Sequence, residues 1–350
     1  MTTFGQRVAR WLQHGAPRAS AWVALSLLVR AACAAPDSIE TDGLTLPLRC
    51  VLGETCWFAN YVDVDPTKGA TDFRCRPRTY DGHDGIDIAI RDLGVMRQGV
   101  PVLASAPGIV RGVRDGMADA PVTDAGSRAR ISSRECGNGV VIRHDNGWET
   151  QYCHLRQGSV RVKAGDRIER GAPVGLVGLS GLTEFPHVHL TVRHNGVAID
   201  PFTGRAINAG CGLAGTPLWR GDRPVPYEEV ALYNAGFTGE QPDSERIRRG
   251  EQEVAPVTAT SPALVLWVDI LGVQAGDKIR LSITGPEGKR ISEHEQTLDR
   301  TQARRFAFAG KRKTAERWPA GAYRGEAVLM RQSDGRSREY RITAATTIEP

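Results

Sequence analysis

Long apolar runs are missing from this 350-residue chain: nowhere does it string together the roughly 18 apolar residues that a membrane-spanning helix needs. Histidine is scarce, at eight residues, and no His-Glu-x-x-His occurs, which excludes the helical zinc-protease arrangement. No two cysteines are spaced Cys-x-x-Cys, so a cysteine-rich structural zinc site is excluded as well. Acidic residues are absent from the first 34 positions, which hold Arg7, Arg10, Arg18 and Arg30. The formal charge of +5 comes mostly from that end; the rest carries 41 basic against 40 acidic residues. Such a balance leaves no electrostatic footprint for nucleic acid. Internal repeats and low-complexity tracts are lacking too.

What is present fits a folded protein. At about 150 residues per domain the length predicts about two domains, each able to bury a core. Seven Trp, eight Phe and a full aliphatic complement exclude a disordered chain. At the amino end, the arginines precede an apolar stretch from Ala21 to Val29, followed by the small residues Ala31, Ala32, Ala34 and Ala35. This pattern predicts a secretory signal peptide over residues 1–34, cut near Ala34, and export to the periplasm or beyond. Lipid anchoring at Cys33 is disfavoured, because Arg30 stands where an aliphatic residue is needed. Past the cut remain Cys50, Cys56, Cys75, Cys136, Cys153 and Cys211. An even count in an exported chain predicts three disulfides, with about 15 pairings open.

Composition changes along the chain predict its organisation. Residues 35–80 hold three cysteines and turn-formers such as Asp65-Pro66, and read as a loop-rich lead-in, stapled and not packed. Short apolar runs punctuated by glycine fill 81–205, the mark of an antiparallel β fold. Asp145-Asn146-Gly147 is a hairpin turn within it, and the long polar segment between Arg114 and Cys136 reads as functional. Residues 206–258 read as a connector, highly charged over Gln241–Glu253. Residues 259–350 return to short strands around a Gly285-Pro286-Glu287-Gly288 turn, which predicts a small immunoglobulin-like β sandwich as an accessory domain. The fold class expected is mainly β.

Four of the histidines sit in patterns. In His83-Asp84-Gly85-Ile86-Asp87, Gly85 permits a bend that lets His83 and Asp87 converge, and imidazole with carboxylate is ligand chemistry that zinc accepts. In Pro186-His187-Val188-His189-Leu190, strand alternation puts His187 and His189 on one face and Val188 and Leu190 in the core. In Gln151-Tyr152-Cys153-His154-Leu155, the same rule pairs Tyr152 with His154 and turns Cys153 the other way. His144, His194 and His294 border turns or loops and read as solvated.

The three patterns together resemble the lysostaphin-type (LytM-like) zinc endopeptidases, and the likeness extends to Gly99–Val102, Ala106–Val110, Gly137–His144, Gly165–Ser180 and Asp200-Pro201 in the expected order. It covers about His83–Phe202. Cys153 and the long Arg114–Cys136 segment depart from the family pattern and bear on the shape of the pocket. The resemblance implies an antiparallel β catalytic domain of the duplicated hybrid motif type. It implies that His83, Asp87 and His189 hold one Zn²⁺, that His154 and His187 are the catalytic histidines, and that Tyr152 and Ser180 line the substrate groove. It implies, finally, a peptidoglycan hydrolase. The other reading is a non-catalytic wall-binding or amidase-activating relative; those have lost ligands, whereas all five groups are present here.

Overall fold

A computed structural model describes residues 38–221, 224–251 and 256–350. The expected signal segment, its cleavage site and Cys33 lie outside the described residues. The first part is built from strands β1 (Cys56–Asn60), β2 (Ile86–Ile90), β3 (Pro101–Leu103), β4 (Gly108–Arg114), β5 (Asn138–Arg143), β6 (Trp148–Leu155), β7 (Arg167–Ile168), β8 (Pro173–Leu176), β9 (His187–His194), β10 (Val197–Asp200) and β11 (Arg205–Ala206). An antiparallel sheet runs in the order β1-β2-β9-β6-β5-β4-β7, with β3 and β8 paired beside it. β9 lies between β2 and β6, and this explains its double character. Val188, Leu190 and Val192 enter the core on one face while His187, His189 and Thr191 occupy the other. The expected hairpin forms at Asp145–Gly147, with Asn146 at φ 56°.

The lead-in departs from expectation. It is stapled, by Cys50–Cys56 and by Cys75–Cys211, but it is also packed. Leu44, Leu48, Phe58, Tyr61, Val62 and Phe73 are buried in the main core, and β1 edges the sheet. Turn-formers between the cysteines hide an apolar content that only the tertiary fold uses. Closing the long Cys75–Cys211 loop contributes about 5 kcal/mol in the chain-entropy picture. Cys136–Cys153 is the third bridge, so all six cysteines are paired.

The second part has β12 (Ala231–Thr238), β13 (Ala263–Val273), β14 (Lys278–Thr284), β15 (Arg290–Thr297), β16 (Gln302–Arg312), β17 (Gly321–Ser333) and β18 (Arg336–Ile348). β12, from the expected connector, pairs with β13 and belongs to this unit. A β12-β13-β16 sheet and a β15-β14-β17-β18 sheet share one core, in which Leu266, Val268, Leu281 and Leu329 meet. Seven strands in two sheets is the count of an immunoglobulin constant-type sandwich, but the fourth strand edges the second sheet here. The outer face of the first sheet is not free. Ala231, Tyr233 and Leu271 pack on Trp57, Ala59 and Ala89 of β1 and β2, with Phe185 alongside.

Candidate metal centre

Strand pairing brings the histidine motifs together. Asp87 on β2 stands directly opposite His189 on β9, and Ala89 opposite His187. His83 approaches from the segment before β2, which crosses β9 closely. A Cβ on Gly85 would fall 2.6 Å from His189 Nε2 and from the Leu190 carbonyl, so the glycine is required for that approach and not for a left-handed turn. His83, Asp87 and His189 are all buried, and their ligand atoms lie within 4.8 Å of one another.

Hydrogen bonds to acceptors fix the imidazole tautomers. His83 Nδ1–H donates to the Tyr61 carbonyl (2.6 Å), leaving the Nε2 lone pair bare. His189 is held at Nε2 by the Thr191 hydroxyl (2.9 Å) and the Asp84 carboxylate (3.3 Å), leaving Nδ1 bare. These two lone pairs face each other at 3.1 Å, and Asp87 Oδ1 lies 3.2 Å from the first and 2.9 Å from the second. The other Asp87 oxygen accepts the Asn60 amide at 2.8 Å. With both imidazoles neutral, three acceptor atoms thus converge, a donor set that fits a divalent cation of zinc's softness. Burial opposes ionisation of Asp87, yet His83 and His187 beside it hold its carboxyl well below the usual range. For His189 burial is likewise outweighed, by Asp84 and Asp87, which raise its pKa to about 9, so a metal bound at Nδ1 would take the place of a proton shared with Asp87.

Two further histidines flank this triad. His187 Nδ1–H donates to the Phe185 carbonyl (2.9 Å), and its Nε2 lies 3.3 Å from Asp87 Oδ1. His154 Nδ1–H donates to the Ser180 carbonyl (2.8 Å), and its ring sits 4.6 Å from that of His187. Burial, with His187 and His189 close by, pushes the His154 pKa well below its ordinary value. All five expected groups therefore meet in one place. Residues 81–201 also match peptidase family M23.

This stretch is an M23 domain.

Over 131 residues it is 34% identical to the DD-carboxypeptidase/endopeptidase Mpg of Neisseria meningitidis, a match spanning 37% of this chain and 24% of that protein. It is 34% identical over 120 residues to the peptidoglycan DD-endopeptidase ShyA of Vibrio cholerae, covering 33% of this chain and 24% of that one. The chain spans about a quarter of the length of these curated relatives. Among solved structures, the catalytic domain of the prophage-encoded M23 protein EnpA from Enterococcus faecalis is 29% identical, over 40% of this chain and 96% of that one, at a TM-score of 0.28.

Two expected groove residues stand elsewhere in the M23 domain. Tyr152 is fully buried in the core, where its hydroxyl accepts the Ser105 N–H at 2.7 Å. Ser180 is also fully buried; it supports His154 through its carbonyl and does not line the groove. Cys153, expected to face away from His154, opens onto the same cavity as that histidine, together with Gln151 and Arg193. The cause is local: His154 has φ 61°, which inverts the alternation after Cys153. His144 is buried as well, held by the Pro107 carbonyl and the Thr150 hydroxyl. On the other side of Tyr80 and Leu182, a second lobe is lined by Asn60, Val122, Phe185, His187 and Ala303, so the long segment and the sandwich both reach the groove.

Asn60, Asp84, Thr191 and Phe185 carry supporting roles that motif reading missed. Asp84 and Thr191 neighbour the ligands in sequence and could have been suspected. Phe185, two residues before His187, could have been suspected as well, whereas Asn60 reaches Asp87 through a contact that no local pattern announces.

Proposed function

We propose that the protein is an exported zinc endopeptidase that hydrolyses peptide bonds in the stems or cross-links of bacterial peptidoglycan. The observation that carries this reading is the convergence of His83 Nε2, His189 Nδ1 and Asp87 Oδ1, three ligand atoms close enough to share one cation. Support for the substrate class comes from the peptidoglycan DD-endopeptidase among the relatives, and support for export from three disulfides.

His83, Asp87 and His189 would hold the zinc, one per chain. A zinc ion there supplies Lewis acidity toward a carbonyl oxygen and lowers the pKa of water. The chain's own part is proton transfer. With Nδ1 committed to the Ser180 carbonyl and its pKa depressed, His154 stays neutral at neutral pH and keeps Nε2 free to accept a proton. His187 is oriented in the same manner by the Phe185 carbonyl. One of the pair takes a proton from the attacking water, and the other stabilises the developing oxyanion or protonates the leaving amine. A cleft with lobes on both sides of the triad suits an extended, flexible peptide.

Digestion of defined muropeptides with mass readout, beside metal analysis of the mature protein, tests the proposal. The parent should bind about one zinc per chain and release cleaved stems. His154→Ala should keep the metal and lose hydrolysis. A parent loaded with zinc that leaves every muropeptide intact would establish the non-catalytic reading instead.

A further inference from the structure

Seven non-glycine residues among those described have positive φ, and six of them sit in turns or loops. His154 is the exception, because it lies inside β6. A left-handed conformation is sparsely populated for any residue that carries a Cβ, and inside a strand it persists only where the surroundings over-determine it. Here they do. Pairing of β6 with β9 ends at Cys153 opposite His189, so His154 is released from that ladder. Its N–H donates instead to the carbonyl of Cys136 at 2.8 Å. Cys136 is bonded to Cys153, the residue just before His154, with Cα atoms 4.8 Å apart. On the far side, Leu155 is gripped through its carbonyl by the Ser180 hydroxyl (2.7 Å) and the Asn138 amide (3.1 Å).

We infer that the Cys136–Cys153 disulfide is a positioning element of the active site, holding His154 in the left-handed conformation that turns its imidazole into the groove. Without that inversion, alternation would place residue 154 on the face of Tyr152, which points into the core. The bridge sets the Cys136 carbonyl against the His154 N–H and anchors the end of the long segment that begins after Arg114. A hydrogen bond alone would leave that segment, exposed over much of its length, free to draw Cys136 away. The inference rests on the reading of His154 as a proton-transfer group.

The test is the paired variant Cys136→Ala/Cys153→Ala, which avoids leaving two thiols beside a metal centre. Cys50→Ala/Cys56→Ala, which removes a short-range bridge that lines neither lobe, is the control. The first pair should retain about one zinc per chain and lose turnover about tenfold or more with little change in KM, the scale set by the rarity of left-handed non-glycine residues. Amide exchange at His154 should accelerate about tenfold while Val188 and Leu190 keep their protection. The control should melt earlier and turn over like the parent. If the first pair matches the parent in turnover, or the His154 amide stays as protected as before, the bridge does not position His154. Should the alanine pair fail to fold, Cys136→Ala/Cys153→Val refills the buried site; failure of both would mark the bridge as a folding element and overturn the inference. A parent without hydrolytic activity would sink the proposed function, and the amide-exchange arm would still decide the positioning claim.

Discussion

The M23 domain and the sandwich both bury carboxylates, and they neutralise them differently. In the sandwich, Asp277 is met by Arg331 through two hydrogen bonds of 2.9 and 2.6 Å, both residues being buried. Asp269, also buried, receives Arg304 at 2.8 Å and Arg248 at 3.1 Å. These are permanent cations in bidentate or near-bidentate geometry, and they complete the site without outside help. Asp87 in the groove is as deeply buried, but its ion-pair partners among the described residues are three imidazoles, and its remaining oxygen has only the Asn60 amide. Carboxylates closed by guanidinium are architecture; a carboxylate ringed by imidazoles, which can give up a proton for a metal, has the chemistry of a ligand. This contrast separates structural charge from functional charge within one chain.

The contrast breaks or holds most visibly on removal of one member from each kind of site. His189→Ala should abolish zinc binding and, with it, hydrolysis, while thermal stability changes far less than activity. Asp277→Asn should do the reverse, costing about 3–5 kcal/mol by leaving Arg331 uncompensated and sparing zinc. Metal content by mass spectrometry and thermal unfolding of both variants decide it. Zinc lost from Asp277→Asn, or kept by His189→Ala, would erase the distinction.

A smaller effect sharpens the metal side. Asp84 accepts from His189 Nε2 and is itself tied to Arg193 at 3.0 Å, so it sets which His189 nitrogen stays bare. Asp84→Asn should weaken zinc affinity about 10–100-fold in a chelator competition titration, without displacing the strands. Unchanged affinity would mean that the Thr191 hydroxyl alone orients His189.

The two regions also meet at Arg304, where the comparison is least clean. Its guanidinium binds Asp269 and lies over the rings of Phe185 (6.0 Å) and Tyr233 (5.5 Å), and Phe185 in turn fixes His187. Arg304→Ala should lower stability by about 1–3 kcal/mol, since Arg248 still serves Asp269, and turnover by about tenfold through a looser Phe185, with zinc retained. Turnover equal to the parent's would leave the sandwich with architecture alone.

How far the sequence speaks to these regions depends on whether the backbone stays regular. His187 and His189 follow from alternation because β9 is extended throughout, and Asp87 follows because β2 is its neighbour. The same rule fails one residue past Cys153: His154 still belongs to the site, as the family resemblance implied, but Tyr152 does not share its face, since alternation presupposes negative φ. Cysteine parity was legible and pairing was not, because pairing depends on folding distance. The packing of the lead-in is hidden for a similar reason: Phe73 stacks on Phe202 and Phe58 and Tyr61 meet it edge-on from far along the chain, contacts that no local pattern carries.

The weakest expected effect concerns a third way of neutralising a buried carboxylate, by a proton. Asp200, fully buried at the end of β10, is served by the Thr203 hydroxyl (2.7 Å) and the Phe202 N–H (3.2 Å). Burial dominates and raises its pKa from 3.8 to about 6. Because the folded value lies above the unfolded one, folding favours the protonated acid. Stability from this group is therefore full below about pH 4, declines as pH rises toward about 6, and stays reduced by about 2–3 kcal/mol beyond. Asp200→Asn removes the ionisation and keeps one acceptor, so it should raise the unfolding temperature by a few degrees at pH 8 and not at pH 4. If the variant melts below the parent at pH 8, Asp200 is stabilised as an anion, and the M23 domain closes this carboxylate by hydrogen bonds alone.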